Sequence, residues 1–367
     1  MTPSDNILSG TILVTGGAGF IGSAVIRCLL DESDVNIVNV DKLTYAANLL
    51  SLPQDHPRHR LETTDICHDL HLREIFNRYQ PSAVVHLAAE SHVDRSIDGP
   101  GAFINTNLVG TYTVLQEALR HWQHLAAKQS RDFRFIHIST DEVFGSLSEH
   151  GLFTESSPYS PNSPYAATKA GSDHLARAWH HTYGLPVVIT NCSNNYGPRQ
   201  FPEKLIPLMI LRGMKRQSLP IYGDGMNVRD WLYVEDHARA LVLILKQGTI
   251  GESYNIGARN ERTNKEIVET VCDLLDKLMP SPIGKHRALI EFVTDRPGHD
   301  RRYAIDASKI EREFGWRPTE SFESALTATV QWYIQNKPWW EAILRRGYAP
   351  NRIGSKQDLA ATDTRES

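Results

Sequence analysis

Tyr165 and Lys169, four apart in YAATK, are the first residues whose types and spacing could do chemistry. On a helix, positions i and i+4 share a face, so the phenol and the ammonium project together. A phenol ordinarily titrates near pH 10, and a neighbouring positive charge favours its phenolate. Such a phenolate can take the proton of a hydroxyl while hydride leaves the same carbon. Thr140, closing the apolar run RFIHIST, would hydrogen-bond the reacting oxygen. Two acids come immediately after it, Asp141 and Glu142 in STDEVFG. Alone, each group has a plainer reading: an ordinary helical Tyr/Lys pair, and a solvated or helix-capping pair of acids.

The third group is TILVTGGAGFIGS, in which Gly16, Gly19 and Gly22 recur at every third position between a strand and a helix. The first glycine permits a tight turn, the second a close approach of backbone to a pyrophosphate, the third close packing of helix on strand. The helix N-terminus then offers unpaired N–H groups to phosphate. The spacing is a variant of the dinucleotide fingerprint, and a glycine turn can also stand without a ligand. Asp41 supports the nucleotide reading: it ends the second strand, where an acid can accept from a ribose hydroxyl. Its charge opposes a 2′-phosphate, which favours NAD over NADP, an inference tempered by the neighbouring Lys42. Asp65-Ile66 and Leu87-Ala88-Ala89 are expected to end the third and fourth strands, on the same rim.

These residues need a scaffold. Apolar strand-like runs at 11–16, 36–41, 60–66, 83–89, 134–140 and 186–193 alternate with helical spacing at 21–30, 69–79, 105–127 and 165–183. The alternation predicts an α/β protein: a Rossmann-type, doubly wound parallel sheet with helices on both faces. After Asn194 the pattern loosens. A helix at 235–246 and a strand at 253–257 read as a return to the main sheet, and further helices are expected at 264–279 and 322–335. The expected division is an NAD-binding domain over 11–195, rejoined by 235–257, with a smaller interleaved C-terminal α/β substrate lobe over 196–234 and 258–345. The polar 350–367 tail is expected to be disordered.

Composition sets outer limits. The chain has 367 residues, 22% of them charged, and a formal net charge of -4, with no basic block to bind nucleic acid. No apolar run approaches the roughly 20 residues that span a bilayer, and the first residues lack the pattern of a secretory signal. The four cysteines are scattered and read as reduced thiols of a cytoplasmic protein. No metal site is expected: His68/His71, His121/His124 and His180-His181 share no ligand spacing and read as surface residues, while His86 and His137 read as satisfied core histidines. Asn191-Cys192-Ser193 fits a glycosylation sequon by chance, within an apolar strand. Trp332, Tyr333, Trp339 and Trp340 read as packing.

Taken together, VTGGAGFIGS, VDKLTYAAN, HLAAESHVDRSI, STDEVFG, SPYAATKAGSDHL, TNCSNNYGPRQFPEKLIPL, VRDWLYVEDHARAL and DRPGHDRRYAID resemble the dTDP-glucose 4,6-dehydratases of the extended short-chain dehydrogenase/reductase superfamily. The resemblance covers roughly residues 11 to 340. It implies an NAD-dependent lyase of deoxysugar biosynthesis: C4 of the glucose ring is oxidised, water is lost across C5 and C6, and hydride returns to C6. It implies Asp141 as acid at the C6 hydroxyl and Glu142 as base at C5, beside Thr140, Tyr165 and Lys169. For both acids to face one sugar, the backbone must leave strand geometry after Thr140. To donate at neutral pH, Asp141 must be protonated, and both burial and the Glu142 charge would raise its pKa. Phe144 departs from the family's usual tyrosine and removes no assigned role.

The resemblance also implies the binding residues. Gly16, Gly19, Phe20, Ile21, Gly22, Asp41, Lys42, Thr44, Asp65, Ile66, Leu87, Ala88, Ala89, Ser91, Thr106, Tyr165, Lys169 and Asn195 would hold the cofactor. Ser91, Thr140, Asn194, Lys204, Leu205, Pro220, Tyr222, Arg229, Asn264, Asp295, Arg296 and His299 would hold the nucleotide sugar, with Arg229 suited to bidentate pairing with a diphosphate. A homodimer through the helices near 105–127 and 165–183 is implied too. Two alternatives share the scaffold: a UDP-sugar epimerase or decarboxylase, which needs Tyr and Lys but not the acid pair, and a non-catalytic NAD sensor, which has no use for a nucleophilic phenolate.

Overall fold

The computed structural model describes residues 8–345; the 350–367 tail lies outside the described residues. Among the described residues there are twelve strands: β1 (Thr11–Thr15), β2 (Asn36–Asp41), β3 (His59–Thr63), β4 (Ala83–His86), β5 (Arg134–Thr140), β6 (Val187–Cys192), β7 (Asn194–Tyr196), β8 (Leu219–Tyr222), β9 (Val228–Tyr233), β10 (Ser253–Ile256), β11 (Glu261–Thr263) and β12 (Ile290–Val293). Seven of them form one sheet in the order β10-β6-β5-β4-β1-β2-β3, with every neighbouring pair parallel.

The period-2 alternation of strand side chains builds a core on each face. Ile12, Val14, Val85 and Ile136 pack under the helices Phe20–Glu32 and Val234–Gln247. Leu13, Val84 and Phe135 pack on the opposite face, under Asp69–Tyr79, Thr111–Gln123 and Pro164–Tyr183. The strand order reverses at β1, so the connections after β1 and β4 diverge and leave a crevice between their C-terminal ends.

The chain leaves this sheet after β6, returns through Val234–Gln247 and β10, and leaves again. The outlying segments form a three-stranded sheet, β11-β9-β7, and a parallel pair, β12-β8. They close a second core of Met209, Val271, Leu326 and Tyr333, among others. Trp332, Tyr333 and Trp339 stack edge-on within it, as packing residues.

Three sequence expectations need correction. The third strand ends at Thr63 and the fourth at His86, so Asp65-Ile66 and Leu87–Ala89 lie in the loops beyond. The expected helix over 105–127 is not uniform: a π-helical segment, Ile104–Gly110, runs into Thr111–Gln123, and a separate short helix, Ala127–Asp132, comes after it. The wide turn lets Asn107 reach inward. Its carboxamide accepts from Glu90 N at 2.9 Å and donates to Glu90 O at 3.0 Å and Thr168 Oγ1 at 3.0 Å. Finally, His121 is buried, not at the surface, with Nε2 2.9 Å from Pro81 O.

The glycine turn is as tight as glycine allows. Gly16 has φ +73°, and a Cβ there would lie 2.7 Å from the backbone of Ala88. A Cβ on Gly22 would lie 2.2 Å from Gly16 O, a backbone atom that cannot swing aside. Gly22→Ala is therefore expected to destabilise the fold by about 1–3 kcal/mol, the usual cost of overpacking. Urea denaturation of the two proteins, with NAD retention measured in parallel, checks this; unchanged stability and unchanged retention would contradict it.

Candidate active site

The end of β5 is stitched to the helix Pro164–Tyr183 by three consecutive residues. His137 Nε2 donates to Asp173 Oδ1 at 3.0 Å, and Ser139 Oγ donates to Asp173 Oδ2 at 2.6 Å. Between them, Ile138 O accepts from Lys169 Nζ at 2.8 Å. Asp173 is fully buried and also accepts from Tyr159 at 2.9 Å. The seam fixes Thr140 and the turn beyond it against Tyr165 and Lys169. It also uses His137 as a structural residue, although its Nδ1 has no partner; His86 has both ring nitrogens partnered, by Thr15 and Thr111.

After Thr140 the backbone leaves strand geometry at once. Asp141–Phe144 form a one-turn 3₁₀-helix, capped by Thr140 Oγ1, which accepts from Glu142 N at 3.3 Å. Gly145 ends the turn at φ +89°, with Ser160 O where a side chain would stand. Phe144 packs between Phe153 and Tyr159 in an apolar pocket. The turn brings Asp141 and Glu142 onto the same cleft.

The two carboxyls differ in environment. Asp141 is 1% exposed and its Oδ2 has no protein partner. Burial raises its pKa well above the carboxylate range, and the charges of Glu142 and Asp230 add to the effect. Glu142 is also raised by burial, but Arg296, Arg229 and Lys204 pull it back down. Asp141 is thus favoured in its neutral form, whereas the burial of Glu142 is offset by three cations.

Tyr165 does not behave as its spacing to Lys169 suggests. Burial raises the phenol well above its ordinary value, and Glu142, Cys192 and Asp141 raise it further. A hydrogen bond from Thr140 works against this, but Lys169 is engaged by the Ile138 carbonyl, and burial lowers its own pKa. Within the protein alone the phenol stays protonated at neutral pH.

The cleft, about 310 Å³, runs from the glycine turn to Lys204. Gly16, Gly19, Phe20, Ile21, Gly22, Asp41, Lys42, Thr44, Ile66, Leu87, Ala88, Ala89, Ser91, Thr106, Thr140, Tyr165, Lys169, Asn194 and Asn195 all border it. Asp65 does not; it accepts from Cys67 N at 2.9 Å and pairs with Lys42 at 3.5 Å, steadying that lysine. Asp41 accepts from Ala18 N at 3.0 Å and Leu43 N at 2.8 Å, which fixes its carboxylate at the rim. The helix Phe20–Glu32 has a glycine N-cap and no side-chain cap, so its first N–H groups are left for an anion. A turn with no room for a Cβ at Gly16 or Gly22, an uncapped helix start and a fixed acid are what a dinucleotide pyrophosphate and ribose require, and these residues fit NAD.

The expected sugar-nucleotide residues are less concentrated. Leu205, Pro220, Tyr222, Arg229, Asn264, Asp295, Arg296 and His299 lie outside the lining of this cleft. Arg229 is 5% exposed and donates to the backbone carbonyls of Val228 at 2.7 Å and Asp300 at 2.9 Å, with Tyr303 under its guanidinium. Tyr222 and Arg296 meet at Asp94. Asp295 accepts from His299 Nδ1 at 2.6 Å, yet burial and Arg296 hold that histidine at about 4. Sequence reasoning missed Glu90, Ser139, Cys192, Ser193, Gln200, Phe201 and Glu203, which also line the cleft. Cys192 and Ser193 obey the rule that strand C-terminal ends face the crevice, which could have found them.

A reversed parallel sheet, a glycine turn on NAD-shaped geometry and a Thr–Tyr–Lys set define an extended short-chain dehydrogenase/reductase. A family model for GDP-mannose 4,6 dehydratase matches residues 13–329. A dTDP-glucose 4,6-dehydratase of Neisseria meningitidis serogroup B is 57% identical over 350 residues, covering 94% of this chain and 99% of the relative. Among solved structures, a dTDP-glucose 4,6-dehydratase of Streptomyces venezuelae with NAD and TYD bound superposes with TM-score 0.83 at 47% identity, covering 91% of this chain and 99% of that one. One from Bacillus anthracis in complex with NAD gives TM-score 0.81 at 44% identity, with coverages of 91% and 99%. The chain belongs to the GDP-mannose 4,6 dehydratase family and, within it, to the dTDP-glucose 4,6-dehydratases.

The raised pKa of Asp141 carries a stability cost with a defined pH dependence. Its folded value lies above its unfolded one, so the cost is absent below about pH 4 and grows as pH rises toward the folded value. Asp141→Asn removes that cost. The variant is expected to melt at least about 1 °C above the parent near pH 8, corresponding to about 1 kcal/mol in a chain of this size, with the gain vanishing near pH 4. Equal melting temperatures at both pH values would refute the desolvation of Asp141.

Proposed function

We propose that this chain converts dTDP-glucose to dTDP-4-keto-6-deoxy-glucose with loss of one water. The observation that carries the reading is the desolvated Asp141–Glu142 pair, turned onto the cleft that also holds Thr140, Tyr165 and the glycine turn. A UDP-sugar epimerase or decarboxylase would use Tyr165 and Lys169 but leave the acid pair without work.

NAD, held along Gly16, Gly19, Gly22 and Asp41, would supply reversible hydride transfer between C4 and C6, and the positive charge of its oxidised ring would favour Tyr165 as the phenolate. Tyr165 then takes the C4 hydroxyl proton, while Thr140 hydrogen-bonds that oxygen. Lys169, held on Ile138 O, keeps the helix face and the strand end in register. Once C4 is a ketone, the C5 proton is acidic because its removal gives an enolate. Glu142 takes that proton. Asp141, kept neutral by burial, gives its proton to the C6 hydroxyl, which departs as water. On hydride return to C6, a proton passes back from Glu142 to C5. Each placed acid or base contributes on the order of 10²–10⁴ in rate.

For the cofactor we assign Gly16, Gly19, Phe20, Ile21, Gly22, Asp41, Lys42, Thr44, Ile66, Leu87, Ala88, Ala89, Ser91, Thr106 and Asn195, with Asp65 acting through Lys42. For the sugar nucleotide we assign Ser91, Asn194 and Lys204 in the cleft. Leu205, Pro220, Tyr222, Arg229, Asn264, Asp295, Arg296 and His299 join them where the second lobe closes over the nucleotide. The buried, unpartnered Asn194 Oδ1 supports that assignment. The separate cores support a division into an NAD-binding domain, 11–195 with 235–257, and a substrate lobe, 196–234 with 258–345, save that Ala307, Ile310 and Trp316 pack in the core of the main sheet. Free thiols at Cys28, Cys67, Cys192 and Cys272 support a cytoplasmic location, to be checked by cell fractionation.

Incubation with dTDP-glucose should give a product lighter by one water and no net NADH; an isomer of unchanged mass, or equal turnover of UDP-glucose, would sink the assignment. Glu142→Gln should stall after C4 oxidation, with NADH-like absorbance held on the enzyme. A homodimer is supported by the apolar groups exposed on the helices concerned, Ile104, Val109, Tyr112 and Tyr183, each between 44% and 49% exposed. Sedimentation should show two chains, and Tyr112→Asp should shift the mass toward one; a monomeric parent would reject this surface.

A further inference from the structure

Asp94 lies in the short helix Val93–Asp98, next to the loop that supplies Ser91 to the cleft. It is 7% exposed, yet it is neither part of the main core nor of the cleft lining. Its carboxylate faces two residues from the other lobe. Arg296 Nη1 donates to Oδ1 at 3.0 Å, and the Tyr222 hydroxyl donates to Oδ2 at 3.0 Å. Arg296 is 202 positions away in the chain and Tyr222 is 128. One carboxylate therefore ties the end of β8 and the 294–303 loop to the cofactor side of the molecule.

We propose that Asp94 is a positioning residue for the elimination step: by anchoring Arg296 between the two lobes, it keeps a fixed positive charge in the field of Glu142, the group that takes the C5 proton. The proposal rests on the assignment of Glu142 as the base. A charge-assisted, mostly buried pair is a suitable anchor, because it is strong and keeps one geometry. Side-chain exposure is 17% for Arg296 and 10% for Asp94, so water screens the pair little.

Several charges meet at Glu142. Arg296, Arg229 and Lys204 lower its pKa, in that order, and Asp300 raises it. Asp141 beside it and Tyr165 across the cleft titrate against it, as does Tyr303. Of the three cations, Arg229 is held by backbone carbonyls and Lys204 by Ser91 O. The pairing with Asp94 is what holds Arg296, the largest favourable charge. Glu142 acts when deprotonated, so loss of the Arg296 charge raises its pKa and moves the acidic limb of the elimination rate to higher pH.

The experiment tracks NADH-like absorbance during single turnovers of the NAD-loaded enzyme with dTDP-glucose, across pH. Asp94→Ala is expected to move the acidic limb up by about one unit, the shift ordinarily caused by loss of one close opposite charge. Asp94→Asn preserves shape, so it keeps the fold while holding the guanidinium more weakly, and should move the limb the same way by less. Arg296→Gln should move it at least as far as Asp94→Ala. In the Arg296→Gln background, Asp94→Ala should add nothing, since the anchor then has nothing to hold. A packing role would instead lower the melting temperature and leave the limb in place. The proposal is overturned if the Asp94→Ala limb coincides with the parent's, or if its shift persists without Arg296. Glu142→Gln, run alongside, separates the two failures. Full turnover there means the base is misassigned, whereas a stall there with an unmoved Asp94→Ala limb leaves the base standing and removes only the anchor.

Discussion

The removal of the Asp141 carboxyl from water is the constraint on which the site depends. A solvated aspartate is ionised at neutral pH and can give no proton to a leaving hydroxyl. At 1% exposure, beside a second carboxyl, the same group holds its proton. The two acids are adjacent and chemically alike, so sequence gives them no division of labour. Their surroundings do: Asp141 faces burial and negative charge, whereas Glu142 faces three cations. Burial raises both carboxyls, and only Glu142 has three cations working against it, which suits the proposed acid and base roles.

The rest of the fold keeps that pair in place. Desolvating a carboxyl opposes folding, so rigid neighbours must hold it. The seam through His137, Ile138 and Ser139 locks the strand end onto the helix Pro164–Tyr183. The 3₁₀ turn then brings both side chains to one side, which a continued strand would forbid. Tyr165 shares the same dry pocket. Burial and the neighbouring acids raise the Tyr165 phenol, and Lys169, which lines the same cleft, is engaged by the Ile138 carbonyl.

The two lobes meet at the same place. Arg229 and Arg296 come from segments outside the main sheet, and both bear on the Glu142 charge. Arg229 is buried on backbone carbonyls, which fixes the place of its charge. Its position, opposite Arg262 in the antiparallel β9–β11 pair, is set by that second sheet, which the residue pattern after Asn194 did not reveal.

What the sequence determined by itself was local. Strand β2 and strand β5 have the expected limits, and so does the helix Asp69–Tyr79, because apolar period and breakers act within a few residues. The glycine turn was legible for the same reason at Gly22, where the atom that excludes a Cβ is Gly16 O, six residues back. The Tyr165–Lys169 spacing, by contrast, implied a shared face but could not imply a shared charge effect, since the ammonium's partner is a carbonyl 31 residues away. The tertiary structure alone decided the protonation of Asp141, the π-helical turn that seats Asn107, the burial of His121, and the meeting of Asp94 with Arg296. Each depends on desolvation or on contacts between distant segments, and neither quantity exists until the chain has closed around them.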